Sequence, residues 1–423
     1  MVSRPVMAAP GRAASHDVRV PRNPAHRQLS VVVPALIAVA LLVAGCSSTS
    51  NTSAPPGAAA TTATSDLPAP PSASPVAVAA LKPGERWINL AMPGGAYRPQ
   101  ADAGGTDDYR CILLDPHLRT DTFLSGVVLQ PGNPKLVHHA ILYRVEPSQV
   151  AAAEAKDATD PRLGWSCFGD PGLPGTGGPI GELNGAPWVA AFATTGGEQR
   201  FSTGTGQYLK AGSRLVMQIH YNLLNGGGVD NSSVKLRVAP ATAHLQALHT
   251  MLLPAPIELP CPAGVTGPLC DRTAAVFDVV HRFGAGAGAT IAGLQLLCGG
   301  SVTTPKPGPT QSCARPAETT MQIRAVAGHM HLLGRLIKVD LLRANGTTAN
   351  LLNEIWNFDD QRATVLAKPV TVHPGDKLRV TCTHDATLRQ KLPALSKLPP
   401  RYIVWGAGSS DEMCLGIVSY TTS

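Results

Sequence analysis

A chain of 423 residues exceeds what one hydrophobic core usually organises, so two domains plus tails are expected rather than a single small domain. With 44% hydrophobic and only 15% charged residues, and with 42 Gly and 38 Pro, the composition argues against a mainly helical protein and for a loop-rich all-β one. The formal net charge of +7 does not signal a nucleic-acid partner: five Arg and one Asp before Cys46 account for +4 of it, and no basic stripe interleaved with aromatics follows.

Residues 1–45 read as an export leader. Basic residues precede an uncharged apolar run, Val31 to Ala44, which is too short for the ~20 residues a membrane-spanning helix needs but suits a signal peptide. A start at Met7 or at a later codon would also leave that leader functional. The run ends in Leu42-Val43-Ala44-Gly45-Cys46, which resembles a bacterial lipobox and implies a lipid on Cys46 as the mature N-terminus; an ordinary signal peptide followed by a chance Cys is the alternative. The expected location is the extracytoplasmic face of a cell membrane. Residues 46–82, rich in Ser, Thr, Ala and Pro, cannot build a core and read as a flexible tether, with ordered chain beginning near Trp87.

Beyond the tether the expectation is two tandem antiparallel β-sandwich (jelly-roll-like) domains, residues 83–240 and 241–423, with the seam near Pro240. Lys135 to Val145 is rich in β-branched and aromatic residues and predicts a strand. Pro147 to Lys156 is the one stretch where a helix is expected. Ser213 to Leu223 alternates, with Leu215, Met217, Ile219 and Tyr221 on one face and Arg214, Gln218 and His220 on the other, predicting a half-buried strand with its histidine on the polar side. Arg335 to Leu342, followed by Asn345-Gly346, predicts a strand entering a tight hairpin. Lys377 to Thr383 and Glu412 to Tyr420 are further strands. Gly169 to Pro187 and Ser301 to Pro316 read as Gly/Pro-rich loops.

Eight cysteines follow Cys46: Cys111, Cys167, Cys261, Cys270, Cys298, Cys313, Cys382 and Cys414. An even number in an exported chain points to disulfides, and the absence of Cys-x-x-Cys spacing weakens a zinc-finger or thioredoxin reading.

Histidines concentrate in three strand-like segments. In a strand, residues i and i+2 share a face, so His329 and His331 are placed to grip one metal; two surface or hydrogen-bonded histidines are the plainer reading. His138 and His139 are adjacent and face opposite ways unless the strand bulges or ends there. His220 alone reads as structural. Met413 alone reads as core filling, yet beside imidazoles a thioether is a soft ligand that selects copper. Spacing adds a hint: 81 residues separate His139 from His220, and 82 separate His331 from Met413.

Four segments together resemble the copper motifs of the type II, ascorbate-dependent copper monooxygenases: Leu136-Val-His-His-Ala-Ile-Leu-Tyr143, Gln218-Ile-His-Tyr221, Gly328-His-Met-His-Leu-Leu-Gly334 and Ser410-Asp-Glu-Met-Cys414. The resemblance spans most of residues 87–423. It implies two copper ions: an electron-transfer copper on His138, His139 and His220, and a catalytic, dioxygen-activating copper on His329, His331 and Met413. It further implies ascorbate or another one-electron reductant, dioxygen as co-substrate, and hydroxylation of a substrate carbon. It also implies two sandwiches facing each other across a solvent-filled cleft, and disulfides Cys111–Cys167 and Cys382–Cys414. Proximity in sequence then suggests Cys261–Cys270 and Cys298–Cys313.

The chain departs from the peptide-amidating members of that family at the positions that would anchor a substrate carboxylate, which here are Ala327, Leu415 and Ile417. A neutral or apolar small-molecule substrate is therefore expected. Tyr109 resembles a family tyrosine near the first copper, or is an ordinary sheet tyrosine. Two other readings compete: a copper-binding or electron-transfer lipoprotein without hydroxylase activity, and a zinc hydrolase built on His-x-His. The fuller His-x-His-x-Asp-His pattern of the latter fails because position 333 is Leu.

Overall fold

The computed structural model describes residues 78–101, 105–174, 186–193, 197–224 and 226–422. The leader, Cys46 and most of the tether lie outside the described residues, as does part of the loop expected at Gly169 to Pro187.

In chain order the first strands are β1 (Arg86–Ala91), β2 (Asp107–Leu114), β3 (Thr122–Gln130) and β4 (Val137–Val145), followed by the short helix α1 (Val150–Asp157). Then come β5 (Trp165–Ser166), β6 (Trp188–Ala193), β7 (Glu198–Arg200), β8 (Thr205–Leu209), β9 (Arg214–Asn222) and β10 (Ser233–Pro240). Short strands β11 (Gln246–Ala247), β12 (His249–Pro254) and β13 (Glu258–Leu259) lead into two helices, α2 (Arg272–Phe283) and α3 (Ala285–Leu297). The remainder is β14 (Thr310–Pro316), β15 (Met321–His329), β16 (Gly334–Leu342), β17 (Thr348–Ile355), β18 (Thr364–Val372), β19 (Lys377–His384), the single turn α4 (Leu388–Lys391), β20 (Ile403–Val404) and β21 (Leu415–Thr422).

The fold is all-β and almost wholly antiparallel. One sheet runs β1-β10-β3-β8-β11 with β7 beside β3, and a second runs β5-β2-β9-β4-β6. Two more, β12-β21-β15-β18 and β14-β19-β16-β17, belong to the later part of the chain, with a small β13-β20 pair. Only the β8–β11 contact is parallel among the named pairings.

Apolar alternation explains the first core. Leu215, Met217, Ile219 and Tyr221 of β9 join Ile112 and Leu142 from neighbouring strands and meet Leu124, Val127 and Leu236 of the facing sheet. The opposite face of β9 is where expectation fails. Gln218 and His220 are fully buried, because that face is covered by a second apolar cluster holding Ile141, Tyr143 and Val216 together with Met251, Val326 and Leu415. Both faces of β9 and β4 therefore lie inside the protein, and the histidines are buried rather than on an exposed surface.

Four further expectations are corrected. The hairpin α2–α3 is helical where none was expected: Asp271 caps α2 by accepting from the Ala274 amide at 2.8 Å, and Gly284, at a φ of 82°, breaks it from α3. The loop expected at Ser301 to Pro316 ends in β14, whose Cys313 bonds Cys298 at the end of α3. Packing begins before Trp87, because the buried Arg237 guanidinium donates to the Ala79 and Ala80 carbonyls as well as to Glu85 and Glu198. β21 starts at Leu415, so Met413 sits in the preceding loop rather than on a strand. The disulfides are Cys111–Cys167, Cys261–Cys270, Cys298–Cys313 and Cys382–Cys414. Among the described residues, no helix is long and apolar enough to cross a membrane.

Candidate metal centre

His138 and His139 open β4 beside His220 of β9. The register of β4 against β9 slips between Val137 and His139, a bulge that turns two successive side chains toward one point. The result is three converging Nδ1 atoms: His138 to His139 is 3.1 Å, His138 to His220 is 3.3 Å, and His139 to His220 is 3.4 Å. Three imidazole nitrogens each ~2.0 Å from a common ion would stand about 3.3–3.5 Å apart in tetrahedral to trigonal geometry, so the spacing fits a metal.

Partners on the outer ring nitrogens set the tautomers. His220 Nε2 lies 2.8 Å from Asp107 Oδ1; a carboxylate can only accept, so Nε2 carries the proton and Nδ1 keeps its lone pair. Asp107 is itself held by Ser409 Oγ at 2.7 Å and Thr106 Oγ1 at 2.7 Å. Burial opposes its charge, yet the hydrogen bonds from His220, Ser409 and Thr106 outweigh that and hold its pKa below the usual carboxylate value. His138 Nε2 faces the Phe358 carbonyl at 3.4 Å, and Phe358 stacks on the same ring with centroids 3.9 Å apart. Tyr109 stacks on His220 at 4.1 Å, and its hydroxyl donates to the Ala407 carbonyl.

The second cluster is built differently. β15 ends at His329, so His331 lies in the turn that follows and not on the same strand face as expected. The turn still brings the pair together, ring centroids 5.2 Å apart. Glu412 shapes it by accepting from the His331 amide at 2.9 Å and from the Leu333 amide. His329 Nδ1 is 2.7 Å from Gln361 Oε1, and His331 Nδ1 is 3.3 Å from the Asp411 carbonyl. Both Nδ1 atoms donate, which leaves both Nε2 atoms with lone pairs. His331 is fully buried and its Nε2 has no hydrogen-bond partner among the described residues, so its lone pair fits a metal ligand.

Met413 belongs to a loop braced from many sides. Asp411 takes two hydrogen bonds of 2.7 Å from Arg282 of α2 and one of 3.0 Å from Arg401. Arg389 donates to the Ser410 carbonyl at 3.0 Å, and Cys414 is tied to Cys382. Met413 and His329 line one cavity of about 530 Å³, whose walls include Ile141, Trp188, Val189, Leu252, Val326 and Leu415. Ala327 and Ile417 also face it.

Burial favours the neutral imidazole at four of these histidines: it pushes His138, His139 and His331 well below the usual histidine range, and His329 to about 4. Neutral imidazoles are the metal-binding form. The two clusters also touch, with the rings of His139 and His329 centred 5.3 Å apart. The two sides meet at these rings, linked also by Tyr109, Phe358 and Ser409, while the cavity of about 530 Å³ lies between residues of both, with His139 and His329 in its wall. Asp107, Gln361, Glu412 and Phe358 were not singled out from the sequence. Only Glu412, inside the quoted Ser410 to Cys414 segment, carried any signal.

Residues 309–423 match the family model described as copper type II ascorbate-dependent monooxygenase, C-terminal domain. The segment holds His329, His331 and Met413. Dopamine beta-hydroxylase of Equus caballus is 32% identical over 115 residues, and that of Homo sapiens 30% over 115 residues. Each alignment covers 26% of this chain and 17% of the relative, so the likeness spans less than one fifth of those proteins. Among solved structures, the major capsid protein P2 of bacteriophage PM2 aligns over 80% of this chain and 97% of its own at 10% identity and a TM-score of 0.25, a likeness that carries no argument. Residues 309–423 are thus similar to the C-terminal domain of the copper type II ascorbate-dependent monooxygenases.

Proposed function

We propose that the protein is an exported copper-dependent monooxygenase that hydroxylates a C–H bond of a neutral or apolar small molecule, using dioxygen and a one-electron reductant such as ascorbate. The observation that carries this reading is the pairing of two donor sets: three Nδ1 atoms 3.1–3.4 Å apart, and a buried, unpartnered His331 Nε2 beside His329, which lines the same cavity as Met413. His138, His139 and His220 would hold one copper, and His329, His331 and Met413 the other. When bound, copper supplies the one-electron chemistry with dioxygen that no side chain here can perform.

The chain's own residues do the rest. Asp107, Gln361 and the Asp411 carbonyl keep the ligand nitrogens deprotonated and aimed. The apolar part of the wall would present a substrate carbon to the His329 and Met413 side of the cavity. Of the arginines that line it, Arg362 pairs with Asp360 at 2.6 Å and Arg200 lies within 3.9 Å of Glu198, while Arg324 bonds the neutral Thr421 at 3.2 Å. Substrate neutrality is supported by Ala327, Leu415 and Ile417 in the wall, none of which can pair with an anionic terminus.

Metal analysis of the purified protein is expected to give two coppers per chain. Met413→Ala should abolish ascorbate-driven oxygen consumption and oxygen incorporation into substrate while the first copper stays bound. Normal turnover by that variant would remove Met413 from its role. Copper binding without oxygen use, across a screen of neutral substrates, would instead favour a copper-binding or electron-transfer protein. Four disulfides are the mark of an exported chain. We assign its anchoring to a lipid on Cys46, so Cys46→Ser should move the protein from the detergent to the aqueous phase of a detergent partition.

A further inference from the structure

One loop, between β17 and β18, reaches both clusters. Trp356 Nε1 donates to the His331 carbonyl at 3.0 Å. Phe358 covers His138 with its ring and accepts from His138 Nε2 with its carbonyl. Gln361 donates from Nε2 to that same Phe358 carbonyl at 2.9 Å and accepts from His329 Nδ1 at 2.7 Å. A continuous hydrogen-bonded bridge therefore runs from a ligand of the first cluster to a ligand of the second: His138 Nε2–H to Phe358 O, Gln361 Nε2–H to Phe358 O, His329 Nδ1–H to Gln361 Oε1.

From this geometry we infer that the Phe358–Gln361 bridge couples metal binding at the two sites, with Gln361 as the positioning residue. The inference rests on the copper reading of the two clusters. An ion on His329 Nε2 fixes that ring and so fixes Gln361. The Gln361 amide then holds the Phe358 carbonyl in place to receive His138 Nε2–H, which presents His138 Nδ1 to its own ion. The ordering of the loop is completed once, by whichever site fills first, and the other site binds to a loop already in place. Direct repulsion between two cations acts against this and is independent of the bridge, so the two contributions separate when the bridge alone is cut.

Gln361→Glu cuts it selectively. A carboxylate still accepts from His329 Nδ1 but has no N–H for the Phe358 carbonyl. The test is the Cu(I) affinity of the first site in the full chain, measured by chelator competition under anaerobic conditions, with the second site filled and with it disabled by His331→Ala. In the otherwise unaltered chain, filling the second site is expected to tighten the first by roughly fivefold or more. In Gln361→Glu both sites should still bind, and the ratio should fall to one or below. Phe358→Ala keeps the carbonyl, so it should weaken the first site and leave the ratio above one. If His331→Ala does not fold, stepwise titration of the Gln361→Glu and parent chains, reading the first-site Cu(II) signal by electron paramagnetic resonance after oxidation, gives the same comparison. A parent chain with no coupling, or coupling that survives Gln361→Glu, overturns the bridge while both coppers remain. A chain that binds no copper overturns the reading beneath it.

Discussion

At the scale of single residues, the centre depends on groups that touch ligands rather than on the ligands alone. Asp107 is the clearest: buried, charged, and aimed at His220 Nε2, it keeps the imidazole in the tautomer whose Nδ1 faces the other two histidines. Asp107→Asn keeps the shape and removes the charge. First-site copper affinity should fall about tenfold, with the second site losing only what its coupling to the first supplies, as read by metal content after dialysis against a graded chelator series. None of this was legible in the sequence. Asp107 lies 113 residues from His220, and nothing in an Asp-Asp pair preceding Tyr109 marks it as a partner for a distant imidazole. The histidines themselves were legible as a set of motifs, yet the reason adjacent His138 and His139 reach one point is a bulge in register that no side-chain pattern announces.

At the scale of elements, strands were readable where alternation or β-branching was strong, as in β4, β9, β16 and β19. The helical hairpin was not, because segment 284–289 mixes Gly with Ala and its helix is stabilised by packing rather than propensity. Its function is positional: α2 delivers Arg282 to Asp411, whose carbonyl receives His331 Nδ1–H. A comparable brace holds β2. Fully buried Arg110 pairs with Asp160 at 2.8 Å and donates to the Leu163 and Gly164 carbonyls, fastening the segment after α1 to the strand that carries Tyr109. Burial works against the Asp160 carboxylate, but hydrogen bonds from Arg162 and Arg110 outweigh it and hold its pKa well below the usual carboxylate range. A depressed folded pKa means that this stability is present above the unfolded value near 4 and is lost as pH falls below it. Asp160→Asn should lower stability at neutral pH by about 3 kcal/mol and flatten the loss between about pH 4 and pH 2, as read by denaturant titrations across that range.

At the scale of the molecule, the ligands of the second cluster are fastened by covalent as well as polar links. The Cys382–Cys414 bridge closes a 32-residue loop next to Met413. Replacing both cysteines by Ser should cost about 3.5 kcal/mol and release the second copper before the first as denaturant is raised, followed by copper-specific absorption or resonance signals. By itself the sequence determined the all-β class, the even cysteine count and the six candidate ligands, because each is written in local composition, period-two alternation or short motifs. Tertiary structure alone decided that the ligand-bearing faces of β4 and β9 are buried and that the two clusters touch. It alone decided that Met413 hangs from a braced loop and that one loop after β17 links both sites. Those outcomes depend on which strand lies beside which and on which face another sheet covers, and such long-range packing leaves no periodic mark on the chain that folds into it.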